Sequence, residues 1–357
     1  MTVVIPVVRA IHIEPVISAT TCGYGLAAKL GDMRDEPARA ATAIEVADFR
    51  QAYGDFEAVR GVSFTVRRGE VFALLGTNGA GKTTTMESLL GFARPRAGSV
   101  RVLGLDPAKD GRALRPRIGV MLQEGGFLGD LTVGETVRLW RGMAADAGRS
   151  SMAGTLEMVG LATKERTRVR QLSGGQRRRL DLALAVLAEP EVLFLDEPST
   201  GMDPEARRGT WQIIHDLRAA GVTVLLTTHY LEEAEKLADR LAIMHQGRIT
   251  TSGTVDEVVT PAGDQIHFRL ALPPAGLRER LREGLPFLDG TAATTAHSGD
   301  GTRVTYALPA SPEAGRAHAA LRPLLDWADK HELTLERLEV CRGTLEDVFL
   351  RVVEEGR

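Results

Sequence analysis

The sequence predicts an α/β fold: a mostly parallel sheet with an inserted helical subdomain, followed by a small C-terminal α+β domain. Three observations lead there. Continuous apolar runs recur at Val71–Leu75, Ile118–Leu122, Val192–Leu195 and Val222–Leu226, with helical stretches between them. Such runs suit strands buried on both faces of a parallel sheet. The first run passes directly into a glycine-rich loop, and the composition shifts at Pro261-Ala262-Gly263.

Residues 1–42 show no period and end in the charged run Asp32-Met33-Arg34-Asp35-Glu36, so they read as a flexible N-terminal extension. Met33 stands just before the first convincing strand, and translation from Met33 is the accompanying hypothesis. An intact mass that includes the leader would refute it. The main domain is expected over 43–260. Ile44-Glu45-Val46 alternates as a strand, and Val62, Phe64 and Val66 alternate again before a turn at Arg68-Gly69. Between about Leu131 and Arg170 the spacing turns helical, at Val133, Val137 and Leu139, then Leu156, Val159 and Leu161. This is the inserted subdomain, about 124–175. The C-terminal domain, 261–357, reads as strand Ile266–Leu272, helix Leu277–Arg282, strand Val304–Leu308, helix Ala314–Trp327, strand Leu333–Val340 and helix Leu345–Val353. In that final helix Leu345, Val348 and Phe349 share one face and are expected to pack on the small domain.

A net charge of -3, with arginines spread along the chain, gives no support to a nucleic-acid partner. Two cysteines, Cys22 and Cys341, are too few for a disulfide framework or a cysteine zinc site and suit a reducing cytoplasm. No stretch approaches the ~20 apolar residues of a membrane-spanning helix. Any membrane pathway is therefore expected on another chain.

Gly76-Thr77-Asn78-Gly79-Ala80-Gly81-Lys82-Thr83 fits G-x-x-x-x-G-K-[ST]. Glycines let successive N–H groups turn inward at phosphate oxygens, and the following helix, opening at Thr84, adds its positive end. Lys82 is expected at the β- and γ-phosphates and Thr83 at Mg²⁺. Val192-Leu193-Phe194-Leu195-Asp196-Glu197 is an apolar strand ending in two acids. Asp196 is then the carboxylate for Mg²⁺, and Glu197 the candidate base for the attacking water.

Between these motifs lies Leu172-Ser173-Gly174-Gly175-Gln176, a Ser-Gly-Gly turn opening a helix visible in Leu180, Leu184 and Leu187. With it the chain resembles ABC ATPases, whose signature sequence is LSGGQ, over roughly residues 43–258. The resemblance implies a P-loop NTPase nucleotide-binding domain that hydrolyses ATP with Mg²⁺. Residue by residue, it places Tyr53 on adenine and Gln123 at Mg²⁺ or the water, next to the contact with a membrane subunit. Asp203 resembles the loop that communicates across a dimer, and His229 the switch histidine at the γ-phosphate. Taken alone, Tyr53 and His229 are ordinary strand-end residues. Thr77 and Met202 depart from common family residues without removing a catalytic group. The resemblance also implies a head-to-tail dimer, homo- or heteromeric, in which Ser173, Gly174, Gly175 and Gln176 act on the partner's nucleotide.

Thr228–Glu235, Ala242–Ile249 and Thr344–Leu350 are most similar to exporter ATPases of the daunorubicin-resistance, or ABC-2, type. That implies efflux of a drug, antibiotic or lipid-like substrate through an integral membrane permease on a separate chain, with this subunit peripheral on the cytoplasmic face of the membrane. An importer ATPase remains an alternative that partners would decide. A soluble ABC ATPase would more often carry two cassettes or coiled-coil insertions, and a kinase or GTPase would lack LSGGQ and His229.

Overall fold

The continuous apolar runs become central strands because each feeds two cores at once. In the computed structural model, which describes residues 42–123, 126–143, 151–270, 293–298, 301–308, 316–331 and 333–355, a six-stranded sheet has the order β5-β6-β7-β3-β8-β9. Its strands are β3 (Val71–Gly76), β5 (Ile118–Met121), β6 (Val192–Asp196), β7 (Thr223–Thr228), β8 (Arg240–His245) and β9 (Arg248–Thr254). All pairings are parallel except β8 with β9. Strand residues alternate between faces. Ala73, Leu75, Leu193, Leu195, Val224 and Leu226 enter one core, beneath helices α5 (Gly174–Val186), α6 (Pro204–Ala219) and α7 (Leu231–Leu237). Phe72, Leu74, Val192, Phe194, Leu225 and Ala242 enter the other.

That second core is closed by a three-stranded antiparallel sheet of order β2-β1-β4. It comprises β1 (Thr42–Tyr53), β2 (Phe56–Arg67) and β4 (Ala97–Val102). The sequence reads two of these strands but not their separation into a sheet of their own. Helix α1 (Lys82–Leu89) follows β3, and α2 (Gly111–Leu114) precedes β5. The inserted segment carries α3 (Val133–Met143) and α4 (Met152–Met158), whose Val133, Val137 and Leu156 are fully buried against α5. The expected extension over 1–42 lies outside the described residues except for Thr42, which already opens β1. The expected helix Leu277–Arg282 lies outside them too.

One strand ends later than the sequence suggests. β7 continues past Leu226 through Thr227 and Thr228, because β3 offers Leu74 and Leu75 as parallel partners to both threonines. This extension delivers two hydroxyls to the sheet's C-terminal edge.

After the short helix α8 (Val255–Val259), a second antiparallel sheet of order β11-β12-β10-β13 forms from β10 (Asp264–Leu270), β11 (Ala293–Ser298), β12 (Gly301–Ala307) and β13 (Glu336–Arg342). Ile266, Phe268, Leu270 and Val304 pack under Leu324, Trp327 and Ala328 of α9 (Arg316–Lys330) in a third core.

The next helix, α10 (Leu345–Glu355), corrects an expectation. Its apolar face does not join this third core. Leu345 is fully buried in the first core, with Val348, Phe349 and Val352 packed against it. The helix lies on α7, α8 and β8, where Leu237, Leu241 and Val258 provide the apolar surface. The Leu345 N–H donates to Glu235 Oε1 on α7 at 3.2 Å. Thr344 and Asp347 cap the helix reciprocally: the Thr344 N–H and hydroxyl donate to Asp347 Oδ2 at 2.8 and 2.7 Å. All these residues belong to one compact unit, Ala38–Arg357. Leu345→Ala is accordingly expected to destabilise the larger, ATP-responsive body by about 2–5 kcal/mol. A lower urea midpoint, measured with and without ATP, checks this.

Candidate active site

The phosphate loop is shaped by close backbone approach. A Cβ on Gly76 would lie 2.4 Å from the Met244 carbonyl oxygen. Gly81, the residue before α1, has φ 101°, and a Cβ there would meet the Ala58 carbonyl at 2.7 Å. Only glycine suits both positions. The orphan N–H groups that open α1 lie at Lys82, Thr83 and Thr84. Thr83 and Asn78 are exposed at the rim, and Ala80 is buried beneath it. Lys82 is only 5% exposed, and its ammonium donates to the Gly76 and Thr77 carbonyls at 2.8 and 3.2 Å. Burial lowers its pKa, against the opposing charges of Glu197 and Asp196.

Opposite the loop, β6 and β7 bring their ends together. Asp196 is buried and accepts a hydrogen bond from the Thr227 hydroxyl. Burial raises its pKa, opposed by the Thr227 hydrogen bond and added to by the Glu197 charge. Glu197 sits at φ 49°, a left-handed backbone uncommon for a residue with a side chain. Its N–H donates to the Thr227 carbonyl at 3.0 Å. Its carboxylate gathers three partners. His229 Nδ1 lies 3.0 Å from Oε1, the Thr200 hydroxyl donates to Oε2 at 3.2 Å, and Lys82 Nζ is 3.9 Å from Oε1. Lys82, Asp196, Glu197 and His229, which span a long stretch of sequence, thus converge.

The remaining expected residues fall into two groups. Tyr53 ends β1 half-exposed, its hydroxyl donating to Glu87 on α1 at 3.0 Å, and Gln123 follows β5 with its side chain exposed. Ser173 and Gln176 form a reciprocal cap on α5: the Ser173 N–H donates to Gln176 Oε1 at 3.0 Å, and the Gln176 N–H to the Ser173 hydroxyl at 3.2 Å. Gly175 packs toward Ala206 and Met202, so the signature turn lies against the segment containing Asp203. Asp203 caps α6, accepting from the Glu205 and Ala206 N–H groups. Among the described residues, no hydrogen bond joins Ser173–Gln176 to Gly76–Thr84.

Thr227 and Thr200 are contacts that the sequence reading passed over. Thr227 stands directly across the ladder from Asp196, and its only sequence signal is the Thr227-Thr228 pair closing an apolar run before His229.

Among the described residues, no group of three or more His, Cys, Asp or Glu side chains is placed to hold a metal ion by itself. The oxygen donors here are mixed instead: a threonine hydroxyl, a glutamine amide and one buried carboxylate. That set fits Mg²⁺, which keeps several waters and takes one or two carboxylates plus phosphate oxygens.

A profile of the ABC transporter family matches residues 59–200. The chain is 38% identical over 314 residues to Nod factor export ATP-binding protein I of Paraburkholderia xenovorans (strain LB400), covering 87% of this chain and 96% of that protein. It is 38% identical over 320 residues to daunorubicin resistance ATP-binding protein DrrA3 of Streptomyces coeruleorubidus, covering 88% and 97%. A solved structure of an ATP-binding subunit of an ABC transporter superposes with a TM-score of 0.56 at 31% identity, over 61% of this chain and 92% of that one. No helix among the described residues is long and apolar enough to cross a membrane. Phosphate loop, paired acids and relatives agree: the chain belongs to the ABC transporter family, as an ATP-binding and ATP-hydrolysing subunit.

Proposed function

We propose that this subunit binds MgATP between Gly76–Thr84 and the Asp196-Glu197 pair, and that its hydrolysis powers efflux of a drug, antibiotic or lipid-like substrate. The observation that carries the site assignment is the meeting of Lys82, His229 and Thr200 on the single carboxylate of Glu197. Lys82 neutralises phosphate charge, and the N–H groups opening α1 bind phosphate oxygens. Glu197 takes a proton from water as the water oxygen bonds to the γ-phosphorus and the bond to the β-phosphate oxygen breaks. His229 Nδ1 lies against Oε1, and with both ring nitrogens protonated Nε2–H can donate to a phosphate oxygen. Tyr53, anchored through Glu87, offers its exposed ring to adenine. When bound, Mg²⁺ supplies positive charge to the β- and γ-phosphate oxygens, and Thr83, Gln123 and Asp196 are the residues that would hold it.

Export is supported by the names of the relatives, which are export and drug-resistance ATP-binding proteins. The subunit then works as a head-to-tail dimer, homo- or heteromeric, peripheral on the cytoplasmic face and docked to a permease on a separate chain. Ser173, Gly174, Gly175 and Gln176 serve the partner's nucleotide, with Asp203 beside them. The test is affinity capture of Glu197→Gln with ATP from detergent-solubilised native membranes. A polytopic membrane partner without a substrate-binding protein supports export. Recovery with a binding protein moves the assignment to import, and recovery of ribosomal proteins alone overturns transport.

A further inference from the structure

The geometry points to Arg178 as a positioning residue for hydrolysis, one that fixes the backbone of Glu197 and of the Gln123 turn from the signature helix. The inference rests on the reading of Glu197 as the base. Arg178 lies on α5, two residues beyond Gln176, and is only 7% exposed. Its Nη1 donates to the carbonyls of Leu122 and Gln123 at 2.6 and 3.0 Å. Its Nη2 donates to those of Asp196 and Glu197 at 2.7 and 2.8 Å. Each terminal nitrogen carries two hydrogens, so all four are engaged.

These carbonyls lie at the edge of the β5–β6 ladder or just beyond it, since the last paired residues are Met121 and Leu195. Asp196 is still paired with Thr227 on β7, and the Glu197 carbonyl also accepts from the Thr200 N–H at 3.2 Å, so what the planar fork adds is a tie between the ends of β5 and β6 through four carbonyls at once. The same fork opposes relaxation of Glu197 out of its left-handed backbone. A change at that residue would re-aim the carboxylate. Asp181, one turn along α5 with Oδ2 at 3.8 Å from Nη1, is the nearest acid to the guanidinium. Because Ser173 caps the same helix, movement at the signature turn is carried by α5 into the chain's own Glu197 and Gln123.

Arg178 was discernible in principle. It stands on the helical stripe of Leu182 and Ala185, which places it inside. Of the three consecutive arginines only Arg178 is buried; Arg177 is exposed and Arg179 intermediate.

The test compares Arg178→Lys and Arg178→Gln with wild type and Glu197→Gln in the full-length chain, reading kcat, KM and calorimetric ATP affinity. Lysine offers one point of donation and cannot span both strand ends. Displacing a catalytic group by about 1 Å is worth on the order of 100-fold. We expect kcat to fall roughly 10- to 100-fold in both variants, more in Gln than in Lys, with ATP affinity retained. If Glu197→Gln is slow but either Arg178 variant turns over at the wild-type rate, the inference falls and the base assignment stands. If both variants lose folding or ATP binding in step with turnover, Arg178 is purely structural and the inference falls as well. If Glu197→Gln matches wild type, the base assignment fails and takes the inference with it.

Discussion

Glu197→Gln is expected to bind ATP as wild type does while hydrolysing it roughly 10²–10⁴-fold more slowly, the usual worth of a positioned general base. Glutamine keeps the size of the side chain and an oxygen for the Thr200 hydroxyl, which donates to Oε2 in the native site. It cannot take a proton from water. It also relieves Lys82 of an anion 3.9 Å away, which leaves that ammonium free to serve phosphate. Binding and turnover should therefore separate. Phosphate release and nucleotide affinity measured on the same preparation check this, and near-normal turnover would remove Glu197 from the role.

Lys82→Ala is expected to act on the other quantity. A hydrogen bond to a charged group is worth about 1.5–3 kcal/mol, so ATP affinity should fall roughly 10- to 100-fold. The native ammonium also holds the Gly76 and Thr77 carbonyls, so its loss loosens the loop that surrounds the phosphates. Asp196 and Glu197 then face each other without the buried cation that now tempers them. Calorimetric titration with a slowly hydrolysed ATP analogue reads the effect. Unchanged affinity would argue against the phosphate-loop assignment.

The sequence displayed those parts of the fold whose signal is local. Val71–Leu75 and Val192–Leu195 read as buried strands because an uninterrupted apolar run has few other stable placements. β8 was harder, since Arg240 and His245 bracket its four apolar residues and its pairing with β3 on one side and β9 on the other makes it a strand. The sheet of β1, β2 and β4 was harder still. β4 begins Ala97-Gly98-Ser99, and its pairing with β1 is non-local and interrupted by a register shift. The site divides the same way. Lys82, Asp196 and Glu197 sit in motifs with a fixed local geometry. Thr227 and Thr200 matter only through where the end of β7 and the turn after β6 bring them. For α10, the spacing of Leu345, Val348 and Phe349 identified the buried face. Periodicity says which residues are covered, not what covers them, so the expected partner was the neighbouring domain when it is α7 and α8.

That placement of Leu345 bears on how the protein is made. Synthesis proceeds at about 5–20 residues per second, and domains tend to fold as they emerge. Here the catalytic body is finished in sequence by α8, yet a wedge of its core arrives only after β10 to β13 have been translated. For on the order of several seconds, the cleft on α7 and α8 waits uncovered on the ribosome. During that interval the nascent ATPase is most exposed to aggregation and to chaperone capture. α10 thus closes the larger core late, after the residues of β10–β13 have been added.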